Sequence, residues 1–180
     1  MAIYSTFLQR AYDQIMHEIC LQGLPVVLAI DRASLVGEDG PTHHGVFDVA
    51  YLRVLPTIRL LSPKDPEELR AMLRWSLEQE APVAIRFARG GITHGEPLGK
   101  GSRIILGRSE LIRPGTDVAL LALGNLVYPA LRVAEALERE GIEAAVGNAR
   151  FVKPLDESMV REMAARVGKF VTLEEAQVGG

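Results

Sequence analysis

Apolar residues recur at helical spacing at Phe7, Leu8, Ala11, Tyr12, Ile15, Met16, Ile19 and Cys20, so the pattern predicts a helix with Ser5 or Thr6 as cap and Gly23 as stop. The run Leu24-Pro25-Val26-Val27-Leu28-Ala29-Ile30 that follows is apolar almost without interruption. Such a run reads as a strand buried on both faces of a parallel sheet. A glycine-rich polar stretch comes next, then a short helix from Phe47 to Leu55 ending before Pro56, and a second strand over Ile58 to Leu61. From Asp65 to Gln79 the positions Leu69, Met72, Leu73, Ser76 and Leu77 mark an amphipathic helix, with Pro66 in its first turn and Glu67 and Glu68 near its positive end. Pro82 to Phe87 is a third strand.

Between Gly90 and Gly115 the periodicity weakens into glycines, a proline, His94, Lys100 and a short apolar run around Ile104 to Leu106, which reads as a linker. The alternation then resumes: strand Asp117 to Leu123, helix Val127 to Glu140 closed by Gly141, strand Glu143 to Val146, helix Asp156 to Val167, strand Phe170 to Leu173. Strands and helices alternating at these lengths predict an α/β fold of two parallel-sheet units with right-handed crossovers. The expected division is residues 1–90, a linker 91–115 and a second unit 116–180. The closing Glu174 to Gly180 reads as the start of another loop.

With 180 residues and 48% apolar content the chain can bury a sizeable core. A net charge of −3 with both signs scattered gives no electrostatic footprint for nucleic acid and no basic face for a membrane surface. The apolar runs are far shorter than the roughly 20 residues of a spanning helix, and the N-terminus lacks signal-peptide order. A soluble, cytoplasmic protein is expected. The single cysteine, Cys20, falls on the apolar side of the first helix and reads as core.

Candidate chemistry gathers behind the first predicted strand, in Asp31-Arg32-Ala33-Ser34-Leu35-Val36-Gly37-Glu38-Asp39-Gly40-Pro41-Thr42-His43-His44-Gly45. In open α/β sheets ligands bind at that carboxyl edge. Arg32 can present a planar fork of donors to phosphate or carboxylate; equally, an ion pair with Asp31 or Asp39 could serve only to shape the loop. Arg89, at the end of the third strand, would reach the same edge, and two convergent arginines favour a phosphorylated substrate. His43 and His44 are adjacent, so their side chains diverge in an extended segment and a two-histidine metal site is not expected; a lone histidine suits proton exchange near neutrality. Neither a GxGxxG nor a Walker sequence occurs. Tyr4, Phe7 and Arg10 sit near the start of the first helix, and by spacing alone Phe7 is a core residue.

The segments Tyr4-Ser5-Thr6-Phe7-Leu8-Gln9-Arg10-Ala11-Tyr12-Asp13-Gln14, Ala29-Ile30-Asp31-Arg32-Ala33 and Val36-Gly37-Glu38-Asp39-Gly40-Pro41-Thr42-His43 closely resemble the 1-deoxy-D-xylulose-5-phosphate synthases, members of the transketolase-like thiamine-diphosphate enzymes. The likeness extends through Arg86-Phe87-Ala88-Arg89-Gly90 and more loosely to Gly180, and implies an incomplete pyrimidine-binding domain followed by an incomplete transketolase C-terminal-like domain. It further implies a homodimer dependent on thiamine diphosphate and Mg²⁺ that decarboxylates pyruvate and joins the two-carbon unit to D-glyceraldehyde 3-phosphate, feeding isoprenoid and thiamine biosynthesis. On this likeness Phe7 stacks on the aminopyrimidine with Arg10 close by, displacing the core reading. Tyr4, Arg32, Asp39 and Arg89 form the polar site for the aldehyde substrate and its phosphate, and His43 faces the reacting centre.

The departures also carry weight. The family's GDG-type motif for diphosphate and Mg²⁺ does not occur in this sequence, nor does the glutamate that precedes the YSTF segment in the family, and Phe87-Ala88 replaces the commoner Tyr-Pro. Losing metal and diphosphate contacts removes most of the cofactor's affinity, so the chain alone is expected to be inactive without an N-terminal cofactor-binding domain. Two other readings stand beside this one: a noncatalytic module that binds a phosphometabolite or docks on a subunit, and one subunit of a split thiamine-diphosphate enzyme.

Overall fold

The apolar runs become two sheets whose carboxyl edges face each other. The computed structural model describes residues 1–90 and 103–177. The first sheet runs in the order β1 (Ala2–Tyr4), β2 (Val27–Asp31), β4 (Val83–Arg86), β3 (Arg59–Leu61) and β8 (Phe151–Lys153). The second is β5 (Glu110–Arg113), β7 (Ala144–Asn148), β6 (Val118–Ala122) and β9 (Phe170–Leu173). Pairing is parallel except where β8 meets β3 and β5 meets β7. The expected α/β architecture of two mostly parallel units is therefore present.

The helical segment 5–20 buries Leu8, Ile15 and Cys20 against Leu28, Ile30 and Leu60. Its bonding widens over Ile15–Cys20, where the Leu21 N–H reaches back five residues to the Met16 carbonyl at 2.8 Å. The expected cap is not formed: no side chain bonds the first turn, and the Ser5 and Thr6 hydroxyl oxygens are buried without a partner among the described residues. The helix Pro66–Ser76 does have its cap, the Asp65 carboxylate accepting from the Glu68 N–H at 2.7 Å. It ends before Leu77, which stands 79% exposed rather than on the apolar face.

Three short strands escaped the pattern. β1, β5 and β8 hold three or four residues each, too few for alternation to register. β5 lies inside the segment read as linker, while His94 and Lys100 fall outside the described residues. β8 is the more consequential. Arriving from the second half of the chain, it pairs antiparallel with β3, Leu61 opposite Phe151, and sinks the Phe151 ring among Leu61, Met72, Val83 and Ile85.

The two carboxyl edges meet closely. The Ser62 N–H, just past β3, donates to the Arg150 carbonyl at 2.8 Å. Gly124, just past β6, has φ +61, and a Cβ there would stand 2.4 Å from the Ser62 hydroxyl oxygen; glycine alone satisfies both conditions. Among the described residues no helix is long and apolar enough to cross a membrane.

Candidate active site

β2 ends at Asp31, and Arg32 follows with φ +55, a left-handed backbone that a non-glycine residue adopts only under constraint. The constraint is Asp31, whose Oδ1 accepts from the Arg32 N–H at 2.7 Å while Oδ2 accepts from Nη1 at 2.7 Å. The guanidinium then turns its Nε to Asp39 Oδ2 at 2.8 Å, and Arg89 Nη1 approaches the other oxygen, Oδ1, at 2.9 Å. Both pairings weighed for Arg32 thus exist together, and one carboxylate spaces two guanidinium groups at the sheet's carboxyl edge. The Arg32 hydrogen bond, reinforced by Arg89, holds the Asp39 carboxyl below the usual carboxylate range, and the Arg32 guanidinium is raised in turn.

An aromatic surface adjoins this charge. Arg32 lies over the Tyr4 ring, 3.9 Å from its centroid. Tyr4 stacks on Phe7 at 5.1 Å and 23°, and His43 sets its ring edgewise to Phe7 at 5.8 Å and 67°. Phe7 is 49% exposed, so its helical spacing does not place it in the core. The structure therefore gathers Tyr4, Phe7, Arg32, Asp39, His43 and Arg89, whereas Arg10 sits exposed in the next turn, Gln9–Ala11.

The two histidines diverge, as adjacency requires. His43 Nδ1 lies 3.1 Å from the Thr42 hydroxyl, while His44 Nδ1 accepts from the Val36 N–H at 3.1 Å and ties the loop across its base. Gly45 closes that loop. A Cβ there would fall 2.2 Å from the Arg32 carbonyl oxygen and 2.6 Å from the Ser5 Cβ, so the first helix can reach the site only past a glycine.

Sequence reasoning left out two buried ionic groups. Arg86, the last residue of β4, sends Nε to Asp48 Oδ2 at 2.9 Å and Nη2 to the Ala33 carbonyl at 2.6 Å, with the Glu175 carbonyl 3.3 Å from the same Nη2. Between the two sheets, Glu68 accepts from Lys64, Asn148 and Arg150, and Glu110 pairs with the same lysine and arginine. Glu68 is fully buried and serves this junction; its expected role at the helix's positive end misses its principal contacts. Both groups depend on contacts distant in sequence, and an arginine closing a strand was the one available signal for the first.

Family models match both halves of the chain. The description "Transketolase, pyrimidine binding domain" covers residues 1–93, and "Transketolase, C-terminal domain" covers residues 107–180. The chain belongs to the transketolase family. Among its curated transketolase-family relatives, the 1-deoxy-D-xylulose-5-phosphate synthase of Thermomicrobium roseum is 57% identical over 99% of this chain and 29% of its own length. That of Heliobacterium modesticaldum is 52% identical over 100% of this chain and 28% of its own length. The resemblance read from the motifs is borne out, and the chain spans less than a third of these relatives. A solved split-gene transketolase, described as an inactive β4 tetramer, matches with a TM-score of 0.87 at 33% identity, covering 97% of this chain and 56% of that one. A transketolase from Pichia stipitis shares the fold with a TM-score of 0.80 at 20% identity, over 99% of this chain and 27% of its own.

Proposed function

We propose that this chain supplies the pyrimidine-facing and aldehyde-phosphate-binding part of a 1-deoxy-D-xylulose-5-phosphate synthase. The reaction joins the two-carbon unit of pyruvate to D-glyceraldehyde 3-phosphate with release of CO₂. The observation that carries the reading is the convergence of Arg32 and Arg89 on one carboxylate beside the open Phe7 ring. The half-exposed Phe7 face fits a flat heteroaromatic ring such as the pyrimidine of thiamine diphosphate. The described residues bring together no group of three or more His, Cys, Asp or Glu able to hold a metal ion; binding of Mg²⁺ and diphosphate is assigned in this reading to a further part of the enzyme, across a homodimer.

Thiamine diphosphate, when bound, supplies the electron sink for decarboxylation. The chain's own residues do the rest. Phe7, with Arg10 nearby, orients the pyrimidine. Arg32 and Arg89 take the substrate phosphate through charge-assisted hydrogen bonds, Asp39 keeps their separation, and Tyr4 backs the Arg32 guanidinium. His43 holds or passes a proton at the substrate oxygen.

A second reading, a separately made subunit of a split enzyme, is favoured by the likeness to the split-gene transketolase. Both readings predict no turnover by the chain alone. The test is a carboligation assay with pyruvate, D-glyceraldehyde 3-phosphate, thiamine diphosphate and Mg²⁺, run on the chain and again with the remaining part of the Thermomicrobium roseum synthase added. Product only in the second reaction supports the proposal. Product from the chain alone overturns its dependence on another part, and no product in either, with the chain folded by circular dichroism, transfers the assignment to a noncatalytic phosphometabolite-binding module.

A further inference from the structure

Arg86 lies behind the site. Its side chain is 4% exposed and that of its partner Asp48 is fully buried, a costly setting for two charges that packing alone does not require. The contacts show what the pair holds. Arg86 Nη2 binds the Ala33 carbonyl at 2.6 Å, and the neighbouring Phe87 carbonyl accepts the Ala33 N–H at 3.0 Å. Both backbone groups of the residue after Arg32 are thus fixed by Arg86 and the residue that follows it, and Asp31 fixes the Arg32 N–H.

Asp48 opens the helix Asp48–Arg53 directly beyond the His43–Gly45 turn, and that turn is itself tied back by the Gly45 N–H to the Ser34 carbonyl at 2.9 Å. From the second unit, the Glu175 carbonyl lies 3.3 Å from Arg86 Nη2, and the Gln177 N–H donates to the Val46 carbonyl at 3.1 Å. One guanidinium therefore joins the strand leading to Arg89, the backbone presenting Arg32, the helix behind His43 and a segment of the other unit.

We propose that Arg86, oriented by Asp48, is a positioning residue for the Arg32–Asp39–Arg89 cluster, selective for the phosphate end of the acceptor. The inference rests on reading that cluster as a phosphate site. A lysine at position 86 keeps the charge opposite Asp48 but lacks the planar fork that holds Asp48, Ala33 and Glu175 together.

In the reconstituted enzyme, Arg86→Lys should raise KM for D-glyceraldehyde 3-phosphate about tenfold with kcat nearly unchanged, the signature of lost uniform binding. Turnover of unphosphorylated D-glyceraldehyde and KM for pyruvate should stay near wild type. Asp48→Asn, which keeps an acceptor for Nε, should show the same selectivity at smaller size and serves if the lysine variant does not fold. Equal loss with both aldehydes, or no loss with either, overturns the inference. Should the wild-type enzyme show no turnover, the functional reading fails on its own. The positioning inference is then read from the Arg32 Nε–Hε NMR signal of the ¹⁵N-arginine-labelled chain, which must shift in Arg86→Lys; an unmoved signal refutes it.

Discussion

Replacing Phe7 by alanine separates a binding residue from a core residue by energy. A buried Phe→Ala change costs about 3–5 kcal/mol. Phe7, however, is 49% exposed and keeps ring contacts with Tyr4 and His43. Half-burial of the ring contributes about 1 kcal/mol and the aromatic pairing about another 1 kcal/mol, so the chain should lose about 2 kcal/mol in urea unfolding. Stacking of a flat heteroaromatic ring on an aromatic side chain contributes about 1–3 kcal/mol. Removing it should weaken thiamine diphosphate binding to the reconstituted enzyme by roughly 5- to 150-fold, since each 1.4 kcal/mol is a factor of about ten. Isothermal titration calorimetry on wild type and Phe7→Ala reads the second number and urea denaturation the first. A loss of 3–5 kcal/mol in stability with unchanged cofactor affinity would refute the reasoning and return Phe7 to the core.

Glu68→Gln leaves the buried Lys64 and Arg150 facing Glu110 with one negative charge fewer, and breaking such a buried pair should cost about 3–5 kcal/mol by chemical denaturation; a change under about 1 kcal/mol would show that the cluster is not an electrostatic junction. Gly45→Ala drives a Cβ against the Arg32 carbonyl oxygen, so stability should fall by about 1–3 kcal/mol and inorganic phosphate binding should weaken with it, both measurable on one preparation. Asp39 is more acidic folded than unfolded, so its contribution is complete above the unfolded value of about 3.9 and is lost as pH falls through the lower folded value; in Asp39→Asn the decline of stability below about pH 4 should be shallower, and an unchanged slope would contradict the ion pairs. Burial pushes the Cys20 thiol up, and a thiol reagent should label the native chain far more slowly than the urea-unfolded one.

The long elements were legible because their periodicity was. Pro66–Ser76 and Val127–Arg139 fall within their expected ranges, and Val27–Asp31 overlaps the expected Leu24–Ile30 while running one residue past its end. What the sequence hid was carried by contacts far along the chain. Phe151 gives no local sign that its strand belongs to the first sheet, and Glu68 looks like any acidic residue in a first helical turn until Arg150 arrives 82 positions later. The candidate site was legible in part: the arginines, Asp39 and His43 follow strands at the edge where open α/β sheets commonly take ligands, but the exposure of Phe7 runs against its own helical spacing. Arg86 was passed over because its place at the end of a strand, the one signal it offers, does not tell which way the side chain faces.

The loan of β8 to the first sheet bears on how such proteins can be recombined. A chimera with its crossover in the 91–115 segment would set Leu60 and Leu61 from one parent against Phe151 and Lys153 from the other. A neighbouring step would mate Glu68, already paired with Lys64 of its own parent, with a foreign Arg150. Exchange between distant homologues should therefore succeed when residues 59–68 and 148–153 travel together as one cassette, even though about eighty positions of chain separate them.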